Sequence, residues 1–263
     1  MSLELCSKVA IANNKSGSSY KIIKLKGNVA MATNLRNTIK YTGTPFPSDL
    51  DCVVDAETFI KSYRVFKAPV LTKEENQLQL VEGKTKAKIA LSDPFFPVDV
   101  DKTFRESDSV SIEPKDFIAA VDRISKFLAL STAKTSPEAY IIGQYIYVTD
   151  GKFLVRTPLE TQFPAQTSRP LTISKEFVDI LKEVKKPAIE ILVSEESLVV
   201  IFEDVIIETA RYAGDMPADF ESYFAYNADK VLSPMPEDVL STLKDVCDLG
   251  DSEDVISFSK QGI

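Results

Sequence analysis

The side chains that could do chemistry are sparse in this 263-residue chain, and histidine is absent altogether. That removes the commonest general base and the commonest transition-metal ligand, and with them Ser-His-Asp and Cys-His catalysis and the usual zinc sites. The three cysteines, Cys6, Cys52 and Cys247, are far apart and odd in number, so neither a disulfide framework nor a thiolate metal site is expected. Carboxylate chemistry is what remains. Asp99 with Asp101, and Glu203 with Asp204, each bring two acids close together, and such pairs can act as general acid and base when their surroundings split their pKa values. Both pairs fall in expected turns, however, and no GxxxxGK[ST] phosphate loop accompanies them. The expectation is a protein without catalytic activity, cofactor or metal.

The other available chemistry is the neutralisation of phosphate. Lys61, Arg64 and Lys67 recur every three residues on a stretch whose Phe59, Ile60, Tyr63 and Phe66 supply an apolar side. Lys175, Lys182 and Lys186 are 7 and 4 residues apart, which places them within about 20° of one another on a helix of about 3.6 residues per turn. Lys185 extends that patch, whereas Lys115, Arg123 and Lys126 share their stretch with Asp116 and Asp122. The ordinary meaning of a lysine stripe is a solvated helix face. Its recurrence on two equivalent helices favours a surface that holds phosphates loosely, without reading bases, and more weakly as salt rises. With 31 basic against 39 acidic residues and a formal charge of −8, the chain cannot coat DNA with its whole surface. Any such role needs a locally basic face, and an acidic exterior would repel DNA from everywhere else.

The elements that must position these residues come in an internal repeat. The run Gly27 to Asn34 is echoed by Gly143 to Asp150 at an offset of 116; Phe59-Ile60 matches Phe177-Val178 at 118; and Phe96-Pro97 answers Met216-Pro217 at 120. In the second copy, Ser111 to Leu130 is expected as a short strand and an amphipathic helix opened by Pro114. Tyr140 to Thr149 and Phe153 to Thr157 read as a hairpin turning at Asp150-Gly151. Ser174 caps a helix that Pro187 stops, and Ile189 to Val193, Ser197 to Phe202 and Val205 to Tyr212 read as strands. The first copy lacks the opening strand: Ser2 to Ala12 is a poor helix, Ile22 to Ala32 and Thr38 to Thr42 are strands, Asp55 to Ala68 is a helix, and Gln77 to Leu91 turns at Glu82-Gly83. Pro236 to Val246 starts a third, incomplete copy. The organisation expected is therefore an α+β chain with modules at residues 1–107 and 108–226 and a partial module or extension at 227–263. No run approaches the roughly 18 apolar residues of a membrane span, and Met1 to Asn14 lacks a signal-peptide pattern, so the expected compartment is the cytoplasm and no membrane partner is expected.

Val148-Thr149-Asp150-Gly151-Lys152-Phe153-Leu154 resembles the Ala-Thr-Asp-Gly-His-Arg-Leu segment of the bacterial β sliding clamps. Asp215 to Phe220 resembles their Gly-x-Phe-Pro-Asp-Tyr, and Asn227 to Leu232 resembles the opening of their third domain. More distantly, the chain is similar to two-domain viral clamps and proliferating cell nuclear antigen. The resemblance implies a DNA-clamp fold: a ring of six modules, antiparallel sheets outside and two helices per module lining the hole, closed head to tail by homo-oligomerisation. A two-module chain needs three copies and a three-module chain two, and this chain fits the trimer better. The implied function is that of a DNA polymerase processivity factor that encircles duplex DNA without sequence specificity, with the polymerase and a clamp loader as partners, in a host cytoplasm if the source is viral. The helix cations would face DNA. A partner-peptide pocket would lie beside the second module's hairpin, where Thr149, Gly151 and Leu154 match the family, Lys152 flanks them and Phe153 stands in place of an arginine. The alternative is a scaffold of the same fold that binds proteins without encircling DNA.

Overall fold

The computed structural model describes residues 2–11, 21–101, 110–130, 138–149, 154–160, 171–194, 196–211, 220 and 222. The chain divides into two compact units, Met1–Met216 and Pro217–Ile263. All of the elements named below belong to the first, and the partial third module lies outside the described residues.

The first repeat runs α1 (Ser2–Ile11), β1 (Ile22–Lys26), β2 (Val29–Thr33), β3 (Asn37–Tyr41), β4 (Asp51–Asp55), α2 (Ala56–Tyr63), β5 (Val70–Lys73), β6 (Gln77–Glu82) and β7 (Thr85–Ala90). The second opens with a strand that has no counterpart among the described residues of the first, β8 (Val110–Ile112), and then repeats the order: α3 (Pro114–Leu130), β9 (Glu138–Ile142), β10 (Tyr145–Thr149), β11 (Leu154–Pro158), β12 (Leu171–Ser174), α4 (Lys175–Glu183), β13 (Glu190–Val193), β14 (Ser197–Ile201) and β15 (Val205–Ala210). The two halves fold alike. Gly27 and Gly143, at the offset of 116 read from the sequence, sit at φ +53 and +57 in the β1–β2 and β9–β10 turns, a backbone region that glycine enters without a Cβ penalty. Those turns split the long strands expected over Ile22 to Ala32 and Tyr140 to Thr149.

Among the described residues all pairing is antiparallel. In the first repeat the order β4-β1-β2-β3 is matched in the second by β12-β9-β10-β11. The first repeat's remaining strands form β5-β6-β7 on their own, but the second repeat's β15-β14-β13-β8 continues from β3 to make one eight-stranded sheet. The join is β3 against β15, with Lys40 opposite Ile206, Ile39 opposite Ile207 and Asn37 opposite Thr209. Polar contacts pin the β2–β3 hairpin to the second repeat. The Ala210 N–H donates to the Arg36 carbonyl at 2.8 Å, the Arg36 guanidinium to Thr172 Oγ1 at 3.0 Å and Asn37 Nδ2 to Ser174 Oγ at 3.4 Å.

Helices cover one face of these sheets in a single row, α2 against α1, α1 against α4 and α4 against α3. Alternation does the sorting. Ala30, Ala32, Ile191, Val193, Leu198 and Val200 turn toward the helices, while their neighbours Met31, Leu192 and Val199 form a second cluster with Val100 on the opposite face. There the segment leading out of the first repeat crosses the join, held where Lys40 Nζ donates to the Val100 carbonyl at 2.7 Å. The α4 helix is fixed by its cap, the Phe177 N–H donating to Ser174 Oγ at 3.1 Å, and α2 by Thr58 N–H donating to Asp55 Oδ1 at 2.8 Å; such caps satisfy backbone donors that a helix start leaves open.

Two of the three cysteines are described, and both belong to this core. Burial pushes the Cys6 thiol up to about 12 and the Cys52 thiol up to about 11. Because the thiolate is the reacting species, neither should be modified by a disulfide reagent at pH 8 in the native protein, and both should react within the mixing time in denaturant. Stoichiometric labelling of Cys6 in the folded state, read by peptide mass, would refute this packing.

Candidate nucleic-acid interface

The helix row carries most of the predicted phosphate-binding residues, and Lys67, Lys185 and Lys186 fall beyond the helix ends. On α2, Lys61 and Arg64 are both exposed. Lys61 pairs with Glu57 one turn earlier at 2.6 Å, and Arg64, the residue that ends the helix, reaches Glu4 of α1 at 2.8 Å. The helix expected to run to Ala68 stops at Tyr63. Lys67 therefore lies in the following turn, where the carboxylate of Glu82 accepts from the Lys67 and Ala68 N–H groups, each at 3.0 Å. Those two donors favour the anion and hold the Glu82 carboxyl below its ordinary value.

On α4, Lys175 is half-buried at the first position and Lys182 is exposed in the last turn. Lys182 Nζ donates to Ser125 Oγ at 2.6 Å and pairs with Asp122 of α3 at 3.3 Å. The helix ends at Glu183, so Lys185 and Lys186 fall beyond it. Lys186 turns to the β14–β15 turn, where Glu203 at 2.9 Å and Asp204 at 3.1 Å accept from its ammonium. Those bonds raise its pKa. One of the acid pairs considered for catalysis thereby has another role: Glu203 and Asp204 anchor a lysine. In the other, Asp101 is paired with Lys26 and meets Asp99 through its own N–H, which donates to Asp99 Oδ1 at 2.9 Å. Among the described residues no group of three or more acidic or thiol side chains is placed to hold a metal.

On α3, Lys115, Arg123 and Lys126 are exposed and none of them has an ion-pair partner among the described residues. Spacing from the sequence missed Lys8 of α1, which pairs with Glu183 of α4. Taken together, Arg64 with Glu4, Lys8 with Glu183 and Lys182 with Asp122 place one ion pair at each of the three helix junctions. Part of the cationic charge expected on this face thus links the helices to one another. Exposed pairs of this kind contribute little stability, about 0 to 1 kcal/mol each, and their carboxylates leave the face mixed in sign.

Of the expected partner-peptide pocket, Thr149 and Leu154 are half-buried and stand opposite each other at the end of the β10–β11 ladder. Gly151, Lys152 and Phe153 lie outside the described residues. A cavity of about 490 Å³ is found elsewhere, between α1 and the end of α2, lined by Leu3, Ile60, Tyr63 and Phe66 with the Glu4–Arg64 pair at its polar side. No helix among the described residues is long and apolar enough to cross a membrane.

No protein-family model matches the chain, and no curated protein matches it by sequence. Solved structures do match. The β clamp of Helicobacter pylori, in a crystal with a DNA ligase peptide, aligns with a TM-score of 0.68 at 14% identity over 94% of this chain and 72% of that one. The Pseudomonas aeruginosa sliding clamp, the DNA polymerase III β subunit, bound there to griselimycin, aligns at 0.62 with 16% identity over 84% and 64%. The Streptococcus pneumoniae DNA polymerase III β chain aligns at 0.60 with 12% identity over 89% and 65%. This chain thus spans 64–72% of the length of these three clamps, and its α+β architecture of repeated antiparallel sheets with two helices per repeat is the fold of the bacterial β sliding clamps.

Proposed function

We propose that this protein is a sliding clamp: a ring subunit without chemistry of its own that encircles duplex DNA, independently of sequence, and tethers a DNA polymerase in the cytoplasm. The observation that carries the reading is the join between the repeats. The first repeat's β3 edge is covered by the second repeat's β15, while the equivalent strands β11 and β7 are edges of their sheets among the described residues. A second copy that set its β7 beside β11 would reproduce the internal join between chains, and repetition of that step closes a ring. At two modules per chain, three copies give the six modules of the expected ring. The helix row then faces inward, with Lys61, Arg64, Lys115, Arg123, Lys126, Lys175 and Lys182 toward the duplex and Lys67, Lys185 and Lys186 in the segments that follow α2 and α4, and phosphate competes with the carboxylates that now hold several of them. Modules at residues 1–107 and 108–226, with 227–263 as an extension, are the organisation this assembly uses. Partner proteins, the polymerase and an ATP-driven loader among them, would insert a short peptide near Thr149 and Leu154; a clamp of the same fold, that of H. pylori, has been crystallised bound to a DNA ligase peptide.

A second reading rests on the ion pairs along the helix row: a scaffold of the same fold that binds peptides and does not encircle DNA would use those pairs as they stand. Retention separates the two. The assembled protein should stay on a nicked circular plasmid through a wash in about 0.5 M salt and leave the same plasmid once it is linearised, because topology, unlike phosphate contact, is not weakened by counterions. Equal loss from circle and line, with peptide binding intact, leaves the scaffold.

A further inference from the structure

We infer that the free edge of β7 is a docking strand for an extended acidic peptide, one with carboxylates at alternate positions and apolar side chains between them. One row of main-chain groups on β7 is paired with β6, and among the described residues no strand covers the other row. Pairing resumes only past the end of the strand, where Leu91 bridges to Val54 and the Ser92 N–H donates to the Val53 carbonyl at 2.8 Å. The 6 open residues are about the length of an ordinary strand. Unpaired main-chain groups on such an edge are a template for strand addition.

Side chains decide which strand is accepted. Ile89 is buried in the core and Ala87 packs against it, so by alternation Lys86 and Lys88 point to the opposite face. Both are exposed, as is Lys84 in the turn before them, and none of the three has an ion-pair partner among the described residues. Their neighbours across the ladder, Val81 and Gln79, are uncharged. The second repeat differs at these places. Its β14–β15 ladder corresponds to β6–β7 at an offset of 120, Ile201 opposite Ile206 in one and Val81 opposite Lys86 in the other. Lys84, Lys86 and Lys88 therefore stand where the second repeat has Asp204, Ile206 and Glu208, and β15, which β3 covers, carries no lysine. The stripe belongs to the uncovered strand alone. Lysines on an edge resist indiscriminate strand addition, whereas opposite charges facing one another across a ladder attract. Carboxylates on every second residue would meet Lys86 and Lys88 at their common spacing of about 6.7 Å, and the residues between would extend the apolar side of Ala87 and Ile89. A nucleic acid would use the ammonium groups and leave the main-chain row unpaired, which is why a peptide is the better fit.

The test uses the full chain and a short capped peptide alternating glutamate and valine. Binding is read by fluorescence anisotropy where the chain is monomeric and by loss of assembly in sedimentation where it is not, since the ring proposed above sets β11 of a second copy on the same edge. Binding should saturate and weaken at least about tenfold between about 0.05 and 0.5 M salt. It should fall about tenfold or more in a Lys86→Glu, Lys88→Glu variant, with Lys86→Ala, Lys88→Ala intermediate, and both variants should melt with the parent because these side chains are exposed. A peptide with proline in place of valine keeps every carboxylate but loses every second main-chain donor, and it should bind about tenfold more weakly, as should an oligothymidylate of equal charge. Equal binding of either control would make the stripe a general anion surface and overturn the docking strand. So would the absence of both binding and disassembly at about 1 mM peptide, or binding that ignores the lysine substitutions. Binding that leaves an assembled ring intact supports the docking strand and removes β7 from the ring junction, so the two readings fail separately.

Discussion

A double charge reversal on α3, Lys115→Glu with Lys126→Glu, is expected to cut retention on circular DNA at least about tenfold near physiological salt while leaving the melting temperature within about 1 °C. Every phosphate that the variant no longer neutralises takes close to one released counterion out of the binding equilibrium, and a reversal replaces attraction by repulsion. These two lysines are the informative choice for three reasons. They lie 11 residues apart, within about 20° on a helix, on the stripe that also carries Asp122, the residue reaching toward α4. Both are exposed, and neither has an ion-pair partner among the described residues. That stripe is turned to the neighbouring helix α4, so ring closure at the far flank should survive. A parallel reversal of Lys61 should do less to DNA, because its charge is already shared with Glu57. Plasmid retention measured by gel filtration, with oligomeric state checked on the same sample, decides the matter. Unchanged retention by an assembled double variant would mean that the helix row does not face the duplex.

Phe177→Ala carries the largest expected cost in stability, about 3–5 kcal/mol, a large part of the roughly 5–15 kcal/mol by which proteins of this kind are folded. The ring is fully buried. It sits one turn into α4, and its own N–H completes the cap on Ser174, so it ties the helix start to the end of β12. Removing it leaves a cavity under a helix packed between α1 and α3, whose neighbours limit how far the site can close over the gap. Phe177→Leu should cost well under half as much. Urea unfolding followed by circular dichroism gives both values; a Phe177→Ala variant within about 1 kcal/mol of the parent would contradict the packing of this helix.

The repeat is the most legible feature of the sequence, because it is written in residues whose types are dictated by backbone geometry. Gly27 and Gly143 mark the same turn, and the offsets of 116 and 120 are those at which the hairpins correspond in the sheet registers. Helix length is less legible. Lysines at helical spacing continue past Tyr63 and Glu183, but a spacing rule sees only periodicity, and the carboxylates that act there come from elsewhere in the chain: Glu82 accepts from the backbone N–H groups of Lys67 and Ala68, and Glu203 with Asp204 pairs with the Lys186 side chain. Strands β4 and β12 leave only short runs in the sequence, Cys52 to Val54 and Leu171 to Ile173, without alternation. Each has only four or five residues, and β12 is buried throughout, so neither shows the alternation that marks a half-exposed strand. Which cations remain available for phosphate is likewise hidden, since Glu4 and Glu183 meet Arg64 and Lys8 only once the helices lie side by side.

The eight-stranded sheet that runs through both repeats has a consequence for motion. A border crossed by a ladder of main-chain hydrogen bonds, with a strap laid over one side and helices over the other, does not bend. Were the proposed ring to form, its opening is expected at the β7–β11 junction between copies and not at the β3–β15 join inside one.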